Sequence, residues 1–132
     1  AYTAAELGRT DSRCAAVASL EMAGSDVGFP DLLRLGIQKP VLMLNAADNP
    51  SEILYRRAER DAYWVQISNT GHLDFTFTRQ FRSHTSAAVL EVTRTIQAYV
   101  LSFLNKHLRQ EDDHLLDDRS SAFPRVGTFR KK

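Results

Sequence analysis

The residues of this chain best placed to do chemistry are one histidine and two carboxylates, each at the exit of an apolar run. His72 stands in Asn69-Thr70-Gly71-His72-Leu73-Asp74-Phe75, directly after Ala62-Tyr63-Trp64-Val65-Gln66-Ile67. Asp48 lies in the turn Asn45-Ala46-Ala47-Asp48-Asn49-Pro50, after Val41-Leu42-Met43-Leu44. Glu21 ends Ser19-Leu20-Glu21-Met22, after Cys14-Ala15-Ala16-Val17-Ala18. An imidazole can take and return a proton near neutral pH, and a carboxylate bonded to its second nitrogen fixes the tautomer and the ring orientation. That pairing is the proton relay of acyl transfer, a contribution of roughly 10² to 10⁴ in rate. It requires His72 Nδ1 within about 3.2 Å of a carboxylate oxygen of Glu21 or Asp48.

Each residue also has a plainer reading. His72 could cap Asp74 or a backbone carbonyl on a surface loop. Asp48 could bond its own backbone, as Asp and Asn do in turns, and Glu21 could be a solvated strand exit. Asp74, two residues past the histidine, is expected to hold the loop through backbone hydrogen bonds. Phe29, Trp64, Phe75 and Phe77 could line an acyl pocket, although aromatic residues near strand ends more often belong to a core.

The elements that must position these residues alternate. The pattern predicts a helix over 1–9, a strand over 14–20, a helical turn over 31–36, a strand over 40–45, a helix over 51–60 and a strand over 62–68. A long helix follows, beginning near 83–86 and running to about 108, because Val89, Val92, Ile96, Tyr99, Val100, Phe103 and Leu104 recur at three- and four-residue steps. Strands alternating with helices predict an α/β fold with parallel pairing. In such sheets ligands meet the loops at the carboxyl ends of the strands, so all three candidate residues belong to one edge. Three strands taken from an open sheet leave one edge unpaired, a surface that invites another strand.

A relay needs a nucleophile, and G-x-S-x-G, its usual carrier in this kind of sheet, does not occur in the sequence. Gly24-Ser25-Asp26-Val27-Gly28 has the glycines at the wrong offsets.

Three segments, Lys39-Pro40-Val41-Leu42-Met43-Leu44-Asn45, Asn69 to Phe77 and Tyr99 to Leu108, resemble the carboxyl half of the α/β-hydrolase family. Platelet-activating-factor acetylhydrolases and dienelactone-hydrolase-like esterases are the most similar groups. The likeness covers residues 1–109 and implies a three-layer α/β-hydrolase-like fold, of which this chain is the C-terminal part of a mostly parallel sheet flanked by helices. It implies His72 as catalytic base, with Asp48 at the usual acid position of the family and Glu21 where acetylhydrolase-like members carry aspartate; Glu21 is slightly favoured. Ala1-Tyr2-Thr3-Ala4-Ala5-Glu6-Leu7 resembles the small-residue helix that follows the nucleophile. The expectation is a portion of a serine ester hydrolase acting on a small-molecule ester, inactive alone, whose serine belongs to the N-terminal remainder of the same hydrolase. A binding or scaffold module that kept the architecture without the chemistry is the alternative.

Composition narrows the rest. The chain has 132 residues, 43% hydrophobic and 25% charged, with a net charge of +1. That balance suits one globular core and gives no electrostatic case for a nucleic-acid partner. No membrane span is expected, because no stretch approaches the ~20 apolar residues one needs. One cysteine, Cys14, excludes an internal disulfide and is expected inside the first strand. His84, His107 and His114 show no metal-ligand spacing, so neither a metal nor another cofactor is expected. Residues 110–132, charged and without periodicity, are expected to form a loose, peripheral tail.

Overall fold

The computed structural model describes residues 2–22, 30–76 and 86–132. In chain order the elements are α1 (Tyr2–Thr10), β1 (Val17–Leu20), α2 (Pro30–Leu35), β2 (Val41–Ala46), α3 (Ile53–Arg57), β3 (Ala62–Ile67), a 3-10 turn (His72–Phe75), α4 (Ala87–Leu104) with a π turn (Asn105–Arg109) at its end, and β4 (Val126–Lys131). The strands form one sheet in the order β1-β2-β3-β4. β1 pairs parallel with β2 from Val17↔Val41 to Leu20↔Leu44, and β2 with β3 from Val41↔Ala62 to Ala46↔Ile67. The mostly parallel α/β sheet expected from the alternation is present.

Alternation of side chains across β2 divides the core. Val41 and Met43 face Val17, Ala62 and Trp64 and are covered by Ala5 of α1, Leu32 of α2 and Leu54 of α3. Leu42 and Leu44 face Tyr63 and Val65 and are covered by Tyr99 and Phe103 of α4. A parallel strand buried on both faces is a nearly continuous apolar run; all six residues of β2 are buried, and the one polar member, Asn45, donates from its side-chain amide to Ser51 O at 2.7 Å. α1, short enough to be marginal alone, sits close against β1: a Cβ on Gly8 would stand 2.1 Å from Val17 Cγ2.

Boundaries differ from the expectations for local reasons. α3 ends at Arg57, well before residue 60, because Ala58 turns to extended backbone and forms a parallel bridge with Ile37. β1 begins only at Val17, so Cys14 precedes the strand and is half-buried. α4 is capped by Ser86, whose hydroxyl accepts from Val89 N–H at 3.3 Å. The stretch Ala87–Arg109 has the length and mean hydropathy, 1.2, to cross a membrane, more than the sequence reading allowed. Here Tyr99 and Phe103 pack against the sheet and Val92 is buried, while Leu101 is 59% exposed.

The main correction concerns the tail. Residues 110–132 are not loose: β4 pairs antiparallel with β3, from Tyr63↔Lys131 to Ile67↔Val126, and Leu116 and Val126 are fully buried. The charges that suggested a solvated tail serve the docking. Arg130 lies over the Trp64 ring at 4.9 Å and pairs with Glu52 at 3.0 Å, and Lys131 pairs with Asp117 at 2.9 Å. The hydrogen bonds from Lys131 and His114 hold the Asp117 carboxyl at about 2. A basic, short strand at a sheet edge also resists further strand addition.

His107, in the π turn, is wedged against Tyr63 and Phe103 with ring centroids 5.9 and 4.8 Å away, and its Nε2 is buried without a hydrogen-bond partner. Burial pushes the imidazole below its ordinary value of 6.5, with Asp61 and Asp112 opposing the shift and Lys106 adding to it.

Two outcomes follow from this packing. Leu116→Ala is expected to lower unfolding stability by about 2–5 kcal/mol in urea titration, whereas a loose tail would leave it unchanged. Because the folded state favours neutral His107, stability is full above pH ~6.5 and is lost as pH falls through the lowered folded value. His107→Phe is expected to flatten the stability profile below pH ~6.5, read by thermal unfolding.

Candidate active site

The three parallel strands end at one edge, and their exits meet. Ala47 N–H donates to Thr70 O at 3.3 Å, tying the turn after β2 to the loop after β3. The Gln66 amide reaches Ala46 O and Ala47 O at 3.2 Å each. Thr70 closes the exit of β3 by donating its hydroxyl to Ile67 O at 2.6 Å.

Glu21 turns inward at the end of β1. Its φ of +52° lies in the left-handed region, a conformation that costs a non-glycine residue of order 1–3 kcal/mol unless its surroundings hold it. The surroundings are its own carboxylate bonds: Oε2 accepts Ala46 N–H at 2.6 Å, and Oε1 accepts Asn49 Nδ2–H at 2.9 Å. The residue is 8% exposed. It is therefore no solvated strand exit.

His72 opens the 3-10 turn after β3, and its Nδ1 lies 3.8 Å from Glu21 Oε1. That is ion-pair range, longer than the hydrogen bond a working relay requires. The imidazole is 67% exposed. Catalytic hydrogen bonds are often long without substrate and tighten when it binds. The structure thus brings His72 and Glu21 together. Asp48 is exposed, with its Oδ2 3.8 Å from where a Cβ on Gly71 would stand.

The loop is held much as its sequence suggests. Asp74 Oδ2 accepts Gly71 N–H at 2.8 Å, and Asp74 N–H donates to Gly71 O at 3.0 Å. Gly71 itself is extended, with φ −127°. The reversal is made by Asn69 at φ +57°, a residue type that visits this region readily.

A cavity of about 110 Å³ is lined by Leu20, Phe75 and Ile96 together with Asp74, Thr76, Thr93 and Gln97; Leu20 adjoins Glu21 in sequence, but the pair itself is not part of the lining. Phe75 does line a cavity; Trp64, by contrast, is core. Phe29, Phe77, His84 and Ser25 lie outside the described residues. Far from this edge, ligand atoms of Asp112, His114 and Asp117 come within 4.8 Å of one another, a clustering that the spacing did not suggest. Lys106 engages Asp112 at 2.6 Å, and Lys131 engages Asp117.

Asn49 and Asn69 are the residues that motif reading passed over. Both sit in the turn-forming clusters at strand exits, a signal for turns rather than for chemistry. No protein-family model matches the chain, and no curated protein matches it.

The two acids are separable by stability. Glu21→Ala strands the buried Ala46 N–H and removes one acceptor of the half-buried Asn49 amide, and is expected to cost about 1–3 kcal/mol, while Asp48→Ala is expected to stay within about 0.5 kcal/mol of the parent. Urea unfolding of the two variants measures both.

Proposed function

We propose that this chain is the carboxyl-terminal portion of a serine ester hydrolase of carboxylesterase or acetylhydrolase type. His72 is its general base, Glu21 is the acid that orients the ring, and the nucleophilic serine is supplied from outside residues 1–132. One observation carries the reading: a buried, doubly anchored carboxylate lies 3.8 Å from a loop imidazole at the carboxyl ends of parallel strands.

The chemistry follows from the geometry. With Nδ1 turned toward Glu21, Nε2 is the nitrogen left to meet a hydroxyl. His72 takes the serine proton as the hydroxyl attacks the ester carbonyl, and Glu21 stabilises the imidazolium that forms. The proton passes to the departing alkoxide, and a water activated by the same nitrogen releases the acyl group. The cavity walled by Leu20, Phe75 and Ile96 would receive a small apolar group of the substrate. The far side of β1 has no partner strand among the described residues, which suits pairing with a strand from the remainder of the hydrolase.

The scaffold reading keeps one observation in its favour, the exposure of His72 at a distance beyond hydrogen bonding. Hydrolysis assays separate the possibilities. The purified 132-residue chain is expected to hydrolyse 4-nitrophenyl acetate no faster than its His72→Ala variant, since relay members act as a unit. Turnover by the chain alone, abolished by His72→Ala, would contradict an external nucleophile. If a version carrying the upstream serine segment is active, the scaffold reading fails, and Glu21→Ala is expected to lower its kcat by about 10²-fold or more.

A further inference from the structure

We infer that Asn49 is the positioning residue of the pair: its side-chain amide fixes the Glu21 carboxylate in the orientation that presents Oε1 to His72 Nδ1. The inference rests on the relay reading above and concerns how the acid is set before any substrate arrives.

The argument is a count of donors and acceptors. A carboxylate only accepts, through two oxygens. Glu21 Oε2 is committed to Ala46 N–H at 2.6 Å, which fixes one end but leaves the group free to rotate about that contact. Asn49 Nδ2 removes the freedom by donating to Oε1 at 2.9 Å. The same nitrogen gives its second hydrogen to Met22 O at 3.0 Å, and Asn49 Oδ1 accepts Ser51 N–H at 3.1 Å. All three polar valences of the amide facing this site are used. An inverted amide would set Oδ1 against two acceptors and Nδ2 against a donor, so the orientation is determined.

The backbone of Asn49 is held as firmly. Its N–H donates to Ala46 O at 3.1 Å, and its carbonyl accepts from the amides of Asn45 at 3.4 Å and Gln66 at 3.3 Å. Asn49 therefore joins the exit of β1 to the exits of β2 and β3. With one lone pair of Oε2 and one of Oε1 occupied, a second lone pair of Oε1 is left for His72 Nδ1, 3.8 Å away. A carboxylate 3.8 Å from Nδ1 favours by its charge the imidazole tautomer with the proton on that nitrogen, which leaves Nε2 as the basic one.

The test is the tautomer of His72 in the 132-residue chain, read by long-range proton–nitrogen NMR in mildly alkaline buffer. The parent is expected to hold the proton mainly on Nδ1. Asn49→Asp, which keeps the acceptor for Ser51 but faces Glu21 with an anion, and Asn49→Ser, which withdraws the amide, are each expected to lower the ratio of the Nδ1–H to the Nε2–H form about five-fold, the size of losing one ordinary hydrogen bond. An unchanged ratio in folded variants assigns Asn49 a role in the backbone alone and overturns the inference. Should both variants fail to fold, Glu21→Gln leaves Asn49 in place and is expected to speed exchange of the Asn49 side-chain amide protons about five-fold; unchanged exchange overturns the inference equally. The tautomer does not depend on ester hydrolysis, so an inactive enzyme with the expected tautomer refutes the esterase reading and spares Asn49.

Discussion

The burial of one carboxylate at the end of β1 is the constraint around which the carboxyl edge of this sheet is arranged. An ionised carboxyl group taken out of water costs several kcal/mol unless donors replace its hydration. Here they come from the end of β2, as Ala46 N–H and the Asn49 amide. The left-handed backbone of Glu21 is the local concession that turns the side chain inward. Once the acid is held, the loop after β3, cinched by Asp74 and reversed at Asn69, brings the imidazole to its open side.

Much of this was legible from residue order. Apolar runs of strand length alternating with helical stretches define the parallel sheet, and a parallel sheet gathers all strand exits on one edge. Glu21, Asp48 and His72 could thus be assigned to that edge without coordinates. The choice between the acids could not be read, because it depends on which carboxylate finds buried donors. Glu21 faces a free N–H at the end of β2; Asp48 stands beyond that strand, in solvent. The positive φ of the loop belongs to Asn69, two residues before Gly71. Nor is Asn49 distinguishable in sequence from an ordinary turn former.

The tail was misread for a related reason. Charge density in 110–132 resembles a solvated segment, but an edge strand needs only one buried face. Val126 meets the core through that face, while Arg130 and Lys131 find partners in Glu52, Trp64 and Asp117. The antiparallel strand covers β3, and among the described residues β1 is left as the edge without a further strand, the side on which Glu21 sits.

A double-mutant cycle between Glu21 and His72 tests the central claim most directly, using Glu21→Gln, His72→Ala and the double variant in urea unfolding at neutral pH. If the two side chains act as a pair, the coupling energy is about 0.5 kcal/mol or more; strict additivity, within about 0.3 kcal/mol, would contradict the pairing.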